Sequence, residues 1–140
     1  RVFGVNIHWM SYTALRRRSE STAHAVNDLV TLCHKASSDA GWWKNIDMGT
    51  NPFVFPGKVA LIHTELSEAV EGHRKDMMDS HLPHRKSVEV EFADAVIRIC
   101  DLAGKLELDL GGALVEKLAY NRTRADHKLE NRQKDGGKKY

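Results

Sequence analysis

Apolar residues recur along most of this chain at the three- and four-residue intervals of a helix face, and alternation at every second position is scarce. The first helix is predicted from about Ser21 to Asp39, with Ser21 or Thr22 as its cap and Ala25, Leu29, Leu32, Cys33 and Ala36 along one side. A loop rich in Gly, Trp, Asn and Pro follows over residues 40–56. The second helix is predicted to start near Pro56, a residue suited to a first turn, and to run to about Asp79. The stretch Ser80-His81-Leu82-Pro83 breaks it. The third runs from about His84 to Leu106, with Val88, Phe92, Ala95, Val96, Ile99, Leu102 and Ala103 as its apolar positions and Gly104 near its end. Asp109 is the expected N-cap of a fourth, which passes through Leu114 and Leu118 to about Thr123. The pattern predicts an all-α fold: an N-terminal extension over residues 1–20, a domain over residues 21–124, and a basic tail over residues 125–140. The tail reads as ordered on binding or draped over a partner, not as a fifth core helix.

Composition narrows the class. The 140 residues suffice for one domain with its own core. Hydrophobic residues at 41% and charged residues at 29% are ordinary for a globular protein, and the three prolines favour helices. Cys33 and Cys100 lack CxxC spacing and read as reduced, buried thiols of a cytoplasmic protein rather than as a disulfide. No apolar run approaches the ~20 residues of a membrane span, so no membrane partner is expected. The apolar stretch Val2 to Met10 precedes the basic run Arg16-Arg17-Arg18, the reverse of a secretory signal. Met10 is a candidate start, with residues 1–9 then an upstream remnant.

Charge is unevenly spread: +3 over residues 1–64, −6 over 65–116 and +5 over 117–140. Nucleic-acid binding by the tail is the weaker reading of this asymmetry. The alternative is a site where carboxylates hold a cation and basic residues meet a polyphosphate. The positions of the acids favour it. On the second helix Glu65 borders the apolar face, and Glu68 lies about 60° further out. On the third, Glu91 borders the apolar face and Asp94 lies about 60° further out. Two helices thus carry an acidic pair at the same offset from the face that packs. Four carboxylates facing one another are costly unless a cation is shared between them. An oxygen-only donor set suits Mg2+, with Mn2+ as a substitute, better than zinc. The offsets make Glu65 and Glu91 the expected inner ligands and put Glu68 and Asp94 nearer to water. Lys58 falls at about 20° on the second-helix wheel, two turns from Glu65, and either touches phosphate or balances acids. Arg98 shares the side of Glu91 and Asp94. Two roles are open to it: a substrate contact, or an internal partner for Asp94 or Asp101. Asp101 reads as a charge partner for Arg98 or Lys105.

The segments Glu65-Leu66-Ser67-Glu68 and Glu91-Phe92-Ala93-Asp94 read as ExxE…ExxD, and Lys117-x-x-x-Asn121-x-x-Arg124 follows on the fourth helix. Together they resemble the signature of the MazG-like all-α nucleoside-triphosphate pyrophosphatases, related to dimeric dUTPases and dCTP pyrophosphatases. The resemblance extends from about Ser21 to Arg124 and departs at Val90, where many relatives carry a second Glu.

The resemblance implies a four-helix MazG-like bundle completed by oligomerisation, as a homodimer or homotetramer. It implies Mg-dependent cleavage of a nucleoside triphosphate between the α- and β-phosphates, giving monophosphate and pyrophosphate. The expected substrates are dNTPs or modified NTPs, and the role is house-cleaning of the nucleotide pool. Glu65, Glu68, Glu91 and Asp94 would hold the metal, with Glu68 favoured as general base beside Glu65. Lys117, Asn121 and Arg124 would contact phosphate and base. Of Trp42 and Trp43, one is expected to stack on a base and the other to cap the core. His34 is a candidate contact to base or sugar. A reading from another class is a non-catalytic helical oligomerisation or nucleotide- and metal-sensing module. His81-x-x-His84 lacks acidic or Cys partners for zinc, and Gly111-Gly112 reads as a helix start, not a phosphate loop.

Overall fold

The computed structural model describes residues 12–137, with side chains from residue 16 onward. The candidate start at Met10 and the tail residues Lys138, Lys139 and Tyr140 lie outside the described residues. The described helices are α1 (Tyr12–Asp39), α2 (Val54–Arg74), α3 (Ser87–Lys105), α4 (Leu110–Thr123) and the single turn α5 (Leu129–Arg132). A 3-10 turn at Ala125–His127 lies between the last two. Among the described residues the only β-type pairing is an isolated bridge between Met78 and Lys86. The fold is all-α, as the apolar periodicity predicts.

Helix α1 begins well before the predicted Ser21. Thr22 does not cap it: its hydroxyl donates back to the Arg18 carbonyl at 2.8 Å, as an interior helical Thr does. Arg16 and Glu20, one turn apart, pair at 2.9 Å and support the added length. Helix α2 starts two residues before Pro56 and stops at Arg74, short of the predicted Asp79. The reason lies in its last turn. Asp76 adopts a left-handed φ of 49°, its N–H bonds to the His73 carbonyl, and the Met77 N–H bonds to the Gly72 carbonyl. That is a Schellman closure. Helices α1 and α3 end in the same way, with Gly41 at φ 84° and Glu107 at φ 55° in the left-handed position. Only one of the three stops is a glycine, so the others carry no glycine signal. Helix α3 starts at Ser87, three residues after the predicted His84.

Contacts among the described residues divide them into two units: one holds those up to Asn27 and those from Asp109 onward, the other Asp28–Leu108. In the first unit Asp109 is the N-cap of α4, as predicted. Its carboxylate accepts from the Gly112 N–H at 2.9 Å and from Asn27 Nδ2 at 2.8 Å. Asn27 Oδ1 in turn accepts from the Gly111 N–H at 2.8 Å. These bonds, the Asn27 contact foremost, hold the Asp109 carboxyl below its usual range. The glycine pair is therefore a helix start, and Gly111 is there for space: a Cβ added to it would lie 2.1 Å from the Ala23 carbonyl oxygen. Gly111→Ala forces α4 away from α1 and is expected to cost about 1–3 kcal/mol, several degrees in a thermal melt. An unchanged melting temperature would mean that this approach is not held in solution.

In the second unit α2 and α3 pack antiparallel. At one end Gly72 faces Ser87, where an added Cβ would lie 2.5 Å from the serine Oγ. Towards the middle Glu65 meets Arg98. The last turns of α1 lie on α3: Gly104 leaves room for His34, and the thiols of Cys33 and Cys100 act on one another's protonation. Both cysteines are buried and free, as expected from their spacing, and burial pushes both thiols up. The buried apolar set is otherwise Val30, Trp43, Ala69, Ala95, Leu102 and Ala103. Leu32, Val70 and Phe92 are each more than half exposed.

Candidate metal centre

The α2–α3 pair sets the site. Glu65 on α2 and Glu91 and Asp94 on α3 each bring one carboxylate oxygen to within 4.8 Å of the others. Glu65 is buried at 6% exposure, and Glu91 and Asp94 are half-buried. Crowding shows in their protonation. Burial first, then the charges of Glu68, Glu65 and Asp94, push the Glu91 carboxyl above its ordinary value, and a hydrogen bond with Glu65 adds to this. Burial and the Glu65 charge likewise push Asp94 up, against the opposing pull of Arg98. Three hard oxygen donors, two of them reluctant to ionise together, form a donor set that suits a divalent cation such as Mg2+.

Glu68 stands outside this trio. It is exposed, and its charge acts on Glu91. The helical wheel expects Asp94 to lie out beside Glu68, and here the structure differs: the crossing of the helices brings Asp94 to Glu65. Two further groups reach Asp94 through space, Asp79 raising its pKa and His81 lowering it. Asp79 is buried, and its Oδ1 accepts from the backbone N–H groups of His81 at 2.9 Å and Leu82 at 2.6 Å. Those bonds, Leu82 first, hold its own carboxyl low. Sequence reading missed Asp79. The available signal was an Asp two residues ahead of His81 in a Pro-containing turn, the pattern of an Asx turn.

Arg98 pairs with Glu65, its Nε lying 2.5 Å from Oε1. The expected partners Asp94 and Asp101 are not the ones it bonds. Asp101 is also differently engaged from the expected pairing with Arg98 or Lys105. It is buried, and its Oδ1 accepts from Trp43 Nε1 at 2.7 Å and meets His34 Nδ1 at 2.9 Å. His34 packs edge-on against Trp43, with ring centroids 5.9 Å apart. The His34 Nδ1 is thus taken up by an internal tie.

The two tryptophans divide. Trp43 is buried, with the Lys58 ammonium 4.2 Å and the Lys105 ammonium 5.4 Å from its ring centroid. Trp42 is 68% exposed. It lines a cavity of about 290 Å³ with Lys58, Leu61, Asp94, Ile97 and Arg98. The cavity is therefore lined by a carboxylate of the acidic trio, by a second carboxylate, Asp101, and by two cations.

Lys117, Asn121 and Arg124 belong to the first unit. The Lys117 ammonium lies 4.8 Å from the Tyr120 ring centroid. Arg124 grips Asp126 through Nε and Nη2 at 2.9 and 2.5 Å, which raises the guanidinium pKa further. Asn121 Oδ1 is buried without a hydrogen-bond partner, alone in this among the side-chain polar atoms of the described residues.

No protein-family model, curated protein or solved structure matches this chain. Among the described residues no helix is long and apolar enough to cross a membrane.

Proposed function

We propose that this chain is a Mg-dependent nucleoside-triphosphate pyrophosphatase of the MazG-like type. The observation that carries the reading is the carboxylate trio of Glu65, Glu91 and Asp94, with ligand atoms within 4.8 Å on two packed helices. These three residues would hold the cation, with Glu68 beside them. A divalent cation there supplies charge neutralisation of the phosphates and a lowered pKa for the attacking water. Glu68, exposed and outside the trio, would act as general base toward an attacking water at its carboxylate. Lys58 and Arg98 bind phosphate oxygens from the cavity wall. Trp42 offers a ring face to the base, a contact worth ~1–3 kcal/mol in stacking. The resemblance adds Lys117, Asn121 and Arg124 as phosphate and base contacts. The unpartnered Asn121 Oδ1 supports this, since a buried acceptor is stabilised by a ligand donor.

Association as a homodimer or homotetramer is part of the proposal. Its support is the apolar surface that the single chain leaves open, Leu66, Val70, Phe92 and Val96 among it.

The test is an incubation with Mg2+ and a panel of normal and modified dNTPs, with pyrophosphate and phosphate assayed separately. Pyrophosphate is expected from at least one nucleotide, and its release is expected to disappear in Asp94→Asn and with a chelator. Phosphate release alone contradicts cleavage at the α–β bond. Nucleotide binding without turnover makes the chain a sensing module instead.

A further inference from the structure

Glu65 is 6% exposed, and a counter-charge offsets the cost of taking a carboxylate out of water. Arg98 supplies it, but with only part of its guanidinium. The bond is made by Nε at 2.5 Å, and it is the one side-chain hydrogen bond that Arg98 makes among the described residues. The side chain is 42% exposed and lines the same cavity as Lys58 and Trp42. A guanidinium bonded to a carboxylate through Nε, on a side chain that lines a cavity, is suited to switch between a carboxylate and a phosphate. Glu65 lies in both arrangements, as the partner of Arg98 and as a member of the acidic trio.

We propose that Arg98 couples the acidic trio to the cavity: it guards Glu65 in the cation-free protein and is released to bind the phosphate chain of the substrate once Glu65 is needed as a ligand. This rests on the metal reading above and goes beyond it by giving cation and anion binding a shared residue. Arg98 and a cation compete for Glu65. Arg98 and the phosphate chain cooperate. The free guanidinium would sit beside Lys58, so two cations meet the phosphates only after the trio has been filled. Order of binding follows: cation first or together with the nucleotide, and phosphate alone weakly.

Calorimetric titration of the nucleotide-free protein with MnCl2 tests the competition. Arg98→Gln removes the competitor, and its Mn2+ affinity is expected to rise about tenfold, the scale of one charge-assisted bond. Lys58→Gln removes a charge from the same cavity without touching Glu65, so its affinity is expected to stay within about twofold, the field of one screened charge. An Arg98→Gln affinity equal to or weaker than wild type overturns the inference. So does an equal gain in both variants, since that is a general charge effect. Wild-type protein that does not bind Mn2+ at all overturns the metal reading itself, which is a separate result. A second measurement needs no variant to fold. In a ¹⁵N spectrum with the arginine Nε–H groups assigned, the Arg98 resonance of the wild-type protein is expected to be shifted and slowly exchanging and to move to the solvent-exposed envelope on addition of MgCl2, while that of Arg124, bonded to Asp126, stays in place. An Arg98 resonance that Mg2+ leaves in place, in protein that binds the ion, also overturns it.

Discussion

Glu91→Gln is expected to raise the melting temperature of the metal-free protein while reducing Mg-dependent pyrophosphate release by about a hundred- to a thousandfold. Both effects come from one carboxylate. In the metal-free fold Glu91 is surrounded by the charges of Glu68, Glu65 and Asp94 and is pushed above its ordinary pKa. Glutamine keeps the shape and removes the repulsion, a gain on the order of 1 kcal/mol, or about 4 °C. The same change removes one of the three negative charges that the trio can offer, and electrostatic groups of this kind are worth about 10²–10³ in rate. A variant that is less stable and still active would contradict the assignment, since a merely structural Glu91 behaves in that way.

The pH dependence has a definite sign. Glu91 and Asp94 hold protons to higher pH in the fold than in the unfolded chain. Their contribution to stability is fully present below the ordinary carboxylate range and is lost as pH rises through the raised values. Metal-free melts are therefore expected to fall over that window, and to fall less in Glu91→Gln. Added Mg2+, which binds the ionised carboxylates, is expected to oppose the fall.

Asp101→Ala is expected to be the most destabilising single change in the second unit, at about 3 kcal/mol in chemical denaturation. Asp101 is buried and ties Trp43 Nε1 and His34 Nδ1, one residue from each of two segments that pack on α3. Alanine leaves the indole N–H buried without an acceptor. Asp101→Asn retains a carbonyl oxygen at the same place and is expected to lose much less. Equal loss in the two variants would mean that the carboxylate charge, not the accepted hydrogen bonds, is what the fold uses.

Much of this architecture is legible in the sequence by itself. The all-α class and the four principal helices follow from apolar spacing, which is a local property of the chain. So does the cap at Asp109, because a cap needs only its own next turn. The two acidic pairs are legible for the same reason: a wheel places Glu65 and Glu91 beside the faces that pack. The resemblance to a pyrophosphatase signature comes from those pairs together with Lys117, Asn121 and Arg124.

The rest depends on distances between helices, which no wheel contains. Offset from a helix's own face is the same for Glu68 and Asp94, yet only Asp94 joins Glu65 and Glu91, because the crossing of α2 and α3 brings one and not the other to the seam. Arg98 has several acids within reach by spacing alone, and packing selects Glu65. Adjacent tryptophans are equivalent in sequence. The buried Asp101 oxygen captures Trp43 and leaves Trp42 at the cavity. Helix α2 ends early because Asp76 takes a left-handed conformation without the glycine that would announce it. The turn that follows brings the charge of Asp79 to bear on Asp94. Local periodicity thus determined which acids and cations the chain can present, and tertiary packing decided which of them share a charge.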